Sequence, residues 1–235
     1  ANTLVTPLNV EEVFSTYLWE GDDLELGINN GIDLEGEGGL VWIKSRDSST
    51  SPNFDHMLFD TERGATKKLA SNTTAAELTN VDSLTSFNSD GFTVDDDDGT
   101  NKNLENYASW TFRKAPKFFD IVTYTGDGTQ GRTVSHNLGS VPGMIIVKSI
   151  NRAQDWAVYH RGNTSGGDAE DWYLLLNQNS QAFDSNTHFA DTAPTSTEFT
   201  VGTNARVNEN TRDFVAYLFA HNDGDGEFGP DGDAD

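Results

Sequence analysis

The sequence has no cysteine, which excludes a disulfide framework, a thiolate metal site and a thiol nucleophile. The same absence fits assembly in a cytoplasm. It is also poor in positive charge: 15 Lys and Arg stand against 38 Asp and Glu, a formal net charge of −23. So acidic a surface repels other polyanions, so neither nucleic acid nor an anionic lipid surface is expected as a partner. No apolar run approaches the roughly 20 residues that cross a bilayer, and no membrane insertion is expected. The opening "ANTLVTPLNVEEVF" has no basic n-region and no apolar h-region, so it does not read as a secretory leader; Ala1 reads as what remains after removal of an initiator Met. With 11% aromatic residues the chain is nonetheless able to build a core.

What is abundant is turn chemistry. The chain carries 22 glycines together with many Asn, Asp, Ser and Thr, which predicts short strands joined by many turns, an all-β fold. Phrases recur in order. "GLVWIKSR" (39–46) matches "GMIIVKSI" (143–150), with Lys44 and Lys148 104 positions apart. "SDGFTV" (89–94) matches "STEFTV" (196–201), and "NYASWTF" (106–112) matches "DFVAYLF" (213–219), both at an offset of 107. "HMLFDTERG" (56–64) resembles "WAVYHRG" (156–162), and "STYLWEG" (15–21) corresponds to "VTYTGDG" (122–128). The spacing predicts two tandem antiparallel β-sandwich repeats, 13–118 and 119–222. A single larger sandwich built from both halves is the alternative. Residues 1–12 form an amino-terminal arm suited to docking on a neighbouring subunit, and 223–235 an acidic Gly/Asp-rich tail or a linker to a further module.

Alternation assigns the faces. In "VFSTYLW" Phe14, Thr16 and Leu18 share one face, and Val13, Ser15, Tyr17 and Trp19 the other. "LVWIK" and "MIIVK" are apolar on both faces, as in central strands covered on two sides. Val41 and Ile43 then face one layer and Leu40 and Trp42 another, with Lys44 and Lys148 where the strands leave the core. The one predicted helical piece is "TAAELTN" (74–80).

Several stretches invite a chemical reading. "GDGTQG" (126–131) fits the dinucleotide pattern G-x-G-x-x-G, but the alternating "RTVSHNL" that follows is a strand, so a hairpin loop is the better reading. "EGDDLE" (20–25) has the E-x-D-x-x-E spacing of β-sandwich glycoside hydrolases similar to laminarinases, which would make Glu20 nucleophile, Asp22 its helper and Glu25 the acid. The apolar residues that flank such acids are missing, and a solvated hairpin turn is preferred. The five histidines show no paired ligand spacing. "VDDDDGTN" (94–101) and "NDGDGEFGPDGDAD" (222–235) are rich in oxygen ligands. Asp95, Asp97, Asp223, Asp225 and Asp231 are therefore candidate ligands for Ca2+, the other reading being solvated turns. Of the five tryptophans, Trp42, Trp110 and Trp156 fall in strand phrases and read as core. Trp172, at a strand start beside acids, is the candidate for contact with a glycan.

The ordered set "GGLVWIKSRD", "LFDTERGATKKLASN", "FNSDGFTV", "SWTFRKAPKFFDIVTYTGDG", "RTVSHNLGSVPGMIIVKS", "WAVYHRG", "YLLLNQN" and "FVAYLFAH" resembles a repeat of virion structural proteins of marine phages, cyanophages among them. The resemblance runs from Val13 to Asp235. It implies β-sandwich modules of the concanavalin or jelly-roll type strung along a tail fibre, appendage or surface filament. It also implies a location in the virion, assembly as a homo-oligomer (trimers being common in fibres) with other virion proteins, and attachment to a host-surface glycan. No catalysis is expected from it. A lectin-like module using loop aromatics and calcium is the alternative function, and a glycanase built on Glu20, Asp22 and Glu25 the third.

Overall fold

Strand runs alternate with Asn-, Asp- and Gly-rich turns throughout a computed structural model that describes residues 8–47, 54–164 and 166–221. The first half begins with one helical turn, α1 (Val10–Val13), and continues through β1 (Phe14–Glu20), β2 (Leu26–Asn29), β3 (Gly39–Ser45), β4 (Met57–Asp60), β5 (Lys67–Ala70), β6 (Leu78–Thr79), β7 (Leu84–Asn88) and β8 (Gly91–Val94) to α2 (Asp98–Asn101) and β9 (Asn106–Arg113). The second half contains β10 (Phe119–Thr125), β11 (Arg132–Ser135), β12 (Pro142–Ser149), β13 (Ala157–His160), β14 (Trp172–Leu175), β15 (Phe183–Asp184), β16 (Glu198–Val201), α3 (Ala205–Asn208) and β17 (Asp213–Ala220).

The strands form two six-stranded sheets of matching order. One runs β1-β9-β3-β4-β5-β6 and the other β10-β17-β12-β13-β14-β15. All pairings between named strands are antiparallel. A three-stranded sheet, β2-β8-β7, accompanies the first and the two-stranded β11-β16 the second. The fold is an all-β sandwich.

Alternation sorts the side chains into three cores. Val41, Ile43, Phe59 and Tyr107 of the first large sheet pack with Ile28, Phe92 and Val94 of its small sheet. In the second half Ile145, Val147, Tyr159 and Phe214 pack with Val134, Phe199 and Val201. The third core lies between the two large sheets, where Leu40, Leu58 and Leu69 meet Phe119, Ile146, Trp156, Val158, Val215 and Tyr217. The order is therefore small sheet, large sheet, large sheet, small sheet. Each half keeps a core of its own, and the two large sheets share a third. This is why β3 and β12 are apolar on both faces, with Val41 and Ile43 in one core and Leu40 in another.

Matched positions make matched contacts. Trp19 stacks on Tyr107 at 5.4 Å and meets Phe92 edge-on at 6.2 Å; Tyr124 stacks on Phe214 at 5.2 Å and meets Phe199 edge-on at 6.2 Å. The Trp19 indole donates to the Thr100 carbonyl, and the Tyr124 hydroxyl to that of Val207.

Two expectations are corrected. Residues 74–80 are not helical. Their main chain bonds to the other half, with Glu77 N–H to the Ile150 carbonyl at 2.8 Å and Gln154 N–H to that of Thr74 at 2.9 Å, and Leu78–Thr79 adds a short strand. Tertiary hydrogen bonds override a weak helical preference here. Nor does Lys148 leave the core: it is fully buried.

Candidate functional site

The two loops nominated for chemistry are one structural device used twice. "EGDDLE" leads from β1 to β2, and "GDGTQG" from β10 to β11. Neither is a hairpin, because each carries the chain from a large sheet to its small sheet. In the first, Asp22 accepts the Leu24 N–H and the Asn101 side-chain amide, both at 3.1 Å, and Asn101 also donates to the Leu24 carbonyl at 2.7 Å. In the second, Asp127 accepts the Thr129 N–H at 2.8 Å and the Asn208 amide at 3.1 Å, and Asn208 reaches the Thr129 carbonyl at 2.9 Å. Gly21 and Gly126 are needed for the close approach: a Cβ on either would sit 2.2 Å from a carbonyl oxygen, that of Lys102 or of Glu209. The loop amides that would cradle a phosphate are already occupied, Asp127 N–H by Asn208 and Gly128 N–H by the Asn208 carbonyl. Glu20 and Glu25 are exposed at the ends of this turn.

The first Asp-rich stretch also builds a turn. Asp97 caps α2, accepting the Gly99 N–H at 3.3 Å, and takes the Ser83 hydroxyl and the Lys68 ammonium, the latter at 3.1 Å. Asn204, its counterpart, caps α3 through the Arg206 N–H at 3.0 Å. An uncharged residue thus fills the same role, and the role is capping. The half-buried Asp95 donates its N–H to the Ser83 carbonyl. Among the described residues no group of three or more His, Asp or Glu is arranged to hold a metal ion. Asp223, Asp225 and Asp231 lie outside the described residues.

Between the large sheets lies a buried ionic cluster that links the halves. Asp60, fully buried, accepts Arg63 Nε at 2.5 Å, the Arg63 N–H at 2.9 Å and the Tyr217 hydroxyl at 2.7 Å. Arg63 spends its remaining donors on Glu77 at 3.0 Å and on the carbonyls of Lys67 and Leu58, both at 3.1 Å. Burial opposes the Arg63 charge, but Tyr217, Asp60 and Glu77 outweigh it and hold its pKa above the usual range. Burial pushes the Tyr217 hydroxyl well up, so it stays a donor. Nearby, the Trp156 indole bonds the carbonyls of Ala70 and Thr73 at 3.1 Å. The arrangement is a lock.

An apolar cleft of about 280 Å³ is lined by Trp42, His56, Trp110 and Phe112. Trp42 and Trp110 are half-buried cross-strand partners on β3 and β9, and the Trp42 indole donates to His56 Nδ1 at 3.2 Å. Desolvation lowers the pKa of His56, with Lys44 adding to it, so the ring is held neutral as an acceptor. On neighbouring β1 the stripe continues through half-buried Phe14 and exposed Thr16 and Leu18, opposite Phe112, Trp110 and Ala108.

Residues 10–232 match the family model described as a domain of unknown function, DUF7483. The chain belongs to the DUF7483 family. No curated protein and no solved structure matches it.

Within this family member, Trp156 is core as expected, whereas Trp42 and Trp110 are only partly covered. Trp172 is half-buried, and its indole nitrogen is enclosed without a partner among the described residues. The aromatic surface therefore centres on Trp42 and Trp110. Sequence reasoning missed it because strand membership was taken to mean burial. The signal that pointed to it was the apolar content of both faces of "FSTYLW" in an edge strand. No described helix is long and apolar enough to cross a membrane.

Proposed function

We propose that the chain is a non-enzymatic structural module of a virion, built into a tail fibre, appendage or surface filament as a homo-oligomer. The observation that carries this reading is where the polar groups go. Asp22, Asp97 and Asp127 fold their own turns, and Asp60, held by Arg63, takes the Tyr217 hydroxyl of the other large sheet. A body fastened in this way resists deformation, which suits a module that transmits load or holds a neighbour in place. The resemblance of its phrases to phage virion repeats supplies the setting. The strongly acidic surface keeps such a module soluble before assembly. The test is composition: an antibody or mass-spectrometric search of purified particles from the producing host finds this chain in stoichiometric amount. Particles of full composition that lack it end the reading.

A second reading is attachment to a glycan. The cleft between Trp42 and Trp110 favours it, because sugar rings stack on half-exposed indoles. A glycan array probed with the chain and with Trp110→Ala decides this: binding that the substitution abolishes supports it, and an array without signal removes it.

A further inference from the structure

β1 and β10 hold the same place in the two halves. Each is the seven-residue edge strand of its large sheet, paired among the described residues on one side only, with β9 or with β17. Their free sides differ. On β10, Asp120 points a carboxylate inward at 3% exposure, where it accepts the N–H groups of Asn137 at 2.7 Å and Ile121 at 2.9 Å, with Lys114 3.7 Å away. The flanking chain folds over that end, Ala115 N–H bonding the Phe119 carbonyl and Lys117 N–H that of Leu138. An inward charge and a covering loop are devices that stop a strand edge from recruiting another strand.

β1 lacks the inward charge, and its flanking chain covers only the first residue, Phe14, whose N–H bonds the Val10 carbonyl. Ser15 stands where β10 has Asp120. The strand contains no lysine, proline or bulge, and its only charge is Glu20 at the end. Tyr17 and Leu18, in the middle, are 36% and 59% exposed. Among the described residues, no main-chain group outside β9 bonds to the backbone of residues 15–20. A row of exposed main-chain donors and acceptors is a ready template for another extended strand.

We infer that the free edge of β1 receives the β1 of a second copy of this chain, antiparallel, across a two-fold axis at Tyr17. This gives a geometry to the homo-oligomer of the assembly reading and rests on it. Centring the axis on Tyr17 sets all seven residues opposite one another, with free main chain from Ser15 to Glu20 and the Phe14 N–H kept by the Val10 carbonyl. Thr16 then lies opposite Leu18, Ser15 opposite Trp19 and Phe14 opposite Glu20, so no charge meets its like. That matters in a chain of −23, whose surfaces repel one another elsewhere. The two large sheets become one, and the stripe of Leu18, Trp110 and Trp42 runs through the axis. Such an interface is isologous and closed, giving a dimer.

The chain lacks cysteine, so Tyr17→Cys introduces a single thiol. Directly opposed antiparallel residues have Cα atoms about 4.5–5.5 Å apart, within the span of roughly 4.4–6.8 Å that a disulfide accepts. Mild oxidation is expected to link most of the Tyr17→Cys chains into dimers and to leave Val81→Cys, 64% exposed elsewhere, unlinked. Sedimentation of the unaltered chain is expected to give twice the chain mass. Tyr17→Lys with Leu18→Lys is expected to weaken the dimer at least tenfold with an unchanged circular dichroism spectrum. Three results overturn the inference: a monomer at every concentration, an oligomer indifferent to the two lysines, or equal cross-linking at position 81. Each leaves the virion reading to be judged by particle composition alone.

Discussion

Tyr217 donates its hydroxyl to Asp60 at 2.7 Å, joining residues 157 positions apart and the two large sheets with them. The bond completes a cluster in which Arg63 neutralises Asp60 and Glu77 away from water. Removing one member of such a cluster strands the others. Arg63→Leu is expected to cost about 3–5 kcal/mol, the usual penalty for an orphaned buried charge. Tyr217→Phe removes one donor and keeps the ring stack on Trp156, so its cost is about 1–3 kcal/mol. Urea denaturation measures both. A cost below about 1 kcal/mol for Tyr217→Phe would show that its bond to Asp60 is not a fastening between the halves.

Asn101 and Asn208 hold matching loops, but not equally. Asn208 is satisfied on both sides of its amide, donating to Asp127, Thr129 and Gly202 and accepting from Asp127 N–H and Arg132. Asn101 donates to Asp22 and Leu24, while its Oδ1 has no partner among the described residues. Both are fully buried. Asn208→Ala should therefore destabilise more, by roughly 2–4 kcal/mol against about 1–3 for Asn101→Ala, since each stranded buried group carries its desolvation cost. Thermal melts of the two variants check the order. Equal losses would contradict the inventory of bonds.

Much of the fold was legible because a strand displays its two faces in its alternation. The separation of Leu40 from Val41 and Ile43 follows from period two alone, and the structure places them in different cores. Alternation is silent on which sheet covers which face. It could not tell that Leu40 shares a core with Tyr217 of the other half, or that residues 74–80 bond their main chain to residues 150–154. The acidic loops are ambiguous for a related reason. A carboxylate that caps its own turn and one that waits for a ligand have the same composition, and only the partners of Asp22, Asp97 and Asp127 distinguish them. Lys148 was unreadable because nothing in "MIIVKS" announces three carbonyl oxygens around its ammonium.

Those carbonyls belong to Thr74, Ser149 and Arg152, at 3.3, 3.0 and 3.4 Å, and the ammonium faces the Trp156 ring at 5.9 Å. Burial pushes the Lys148 pKa down to about 8, with Asp155 opposing. An unfolded lysine titrates near ~10.4. Between those values the unfolded chain holds a proton that the folded chain has released, so this group adds stability as pH rises through the window. Below about pH 8 its burial cost is present in full. Lys148→Met has no such slope. Its advantage over the unaltered chain should shrink by roughly 1–3 kcal/mol between pH 7 and pH 10, measured by denaturant unfolding at each pH. A difference that stays flat would mean that Lys148 titrates in the folded chain as it does in the unfolded one, and would reject the effect of burial on it.

His188 gives a slope of the same sign on the acid side. It is 2% exposed, stacks on Tyr173 at 3.5 Å and shares Nδ1 with the Ser185 hydroxyl. Burial, and then the charge of Arg206, push its pKa down to about 3. An unfolded histidine takes its proton near ~6.5. As pH falls from there towards 3, the unfolded chain gains a proton that the folded chain refuses, and stability is lost across that interval. His188→Phe keeps a ring on Tyr173 and cannot titrate. Its stability relative to the unaltered chain should improve by about 1–3 kcal/mol between pH 7 and pH 4, with the carboxylates common to both chains cancelling in the comparison. Parallel acid-unfolding curves for the two proteins would mean that His188 titrates normally and that water reaches its ring.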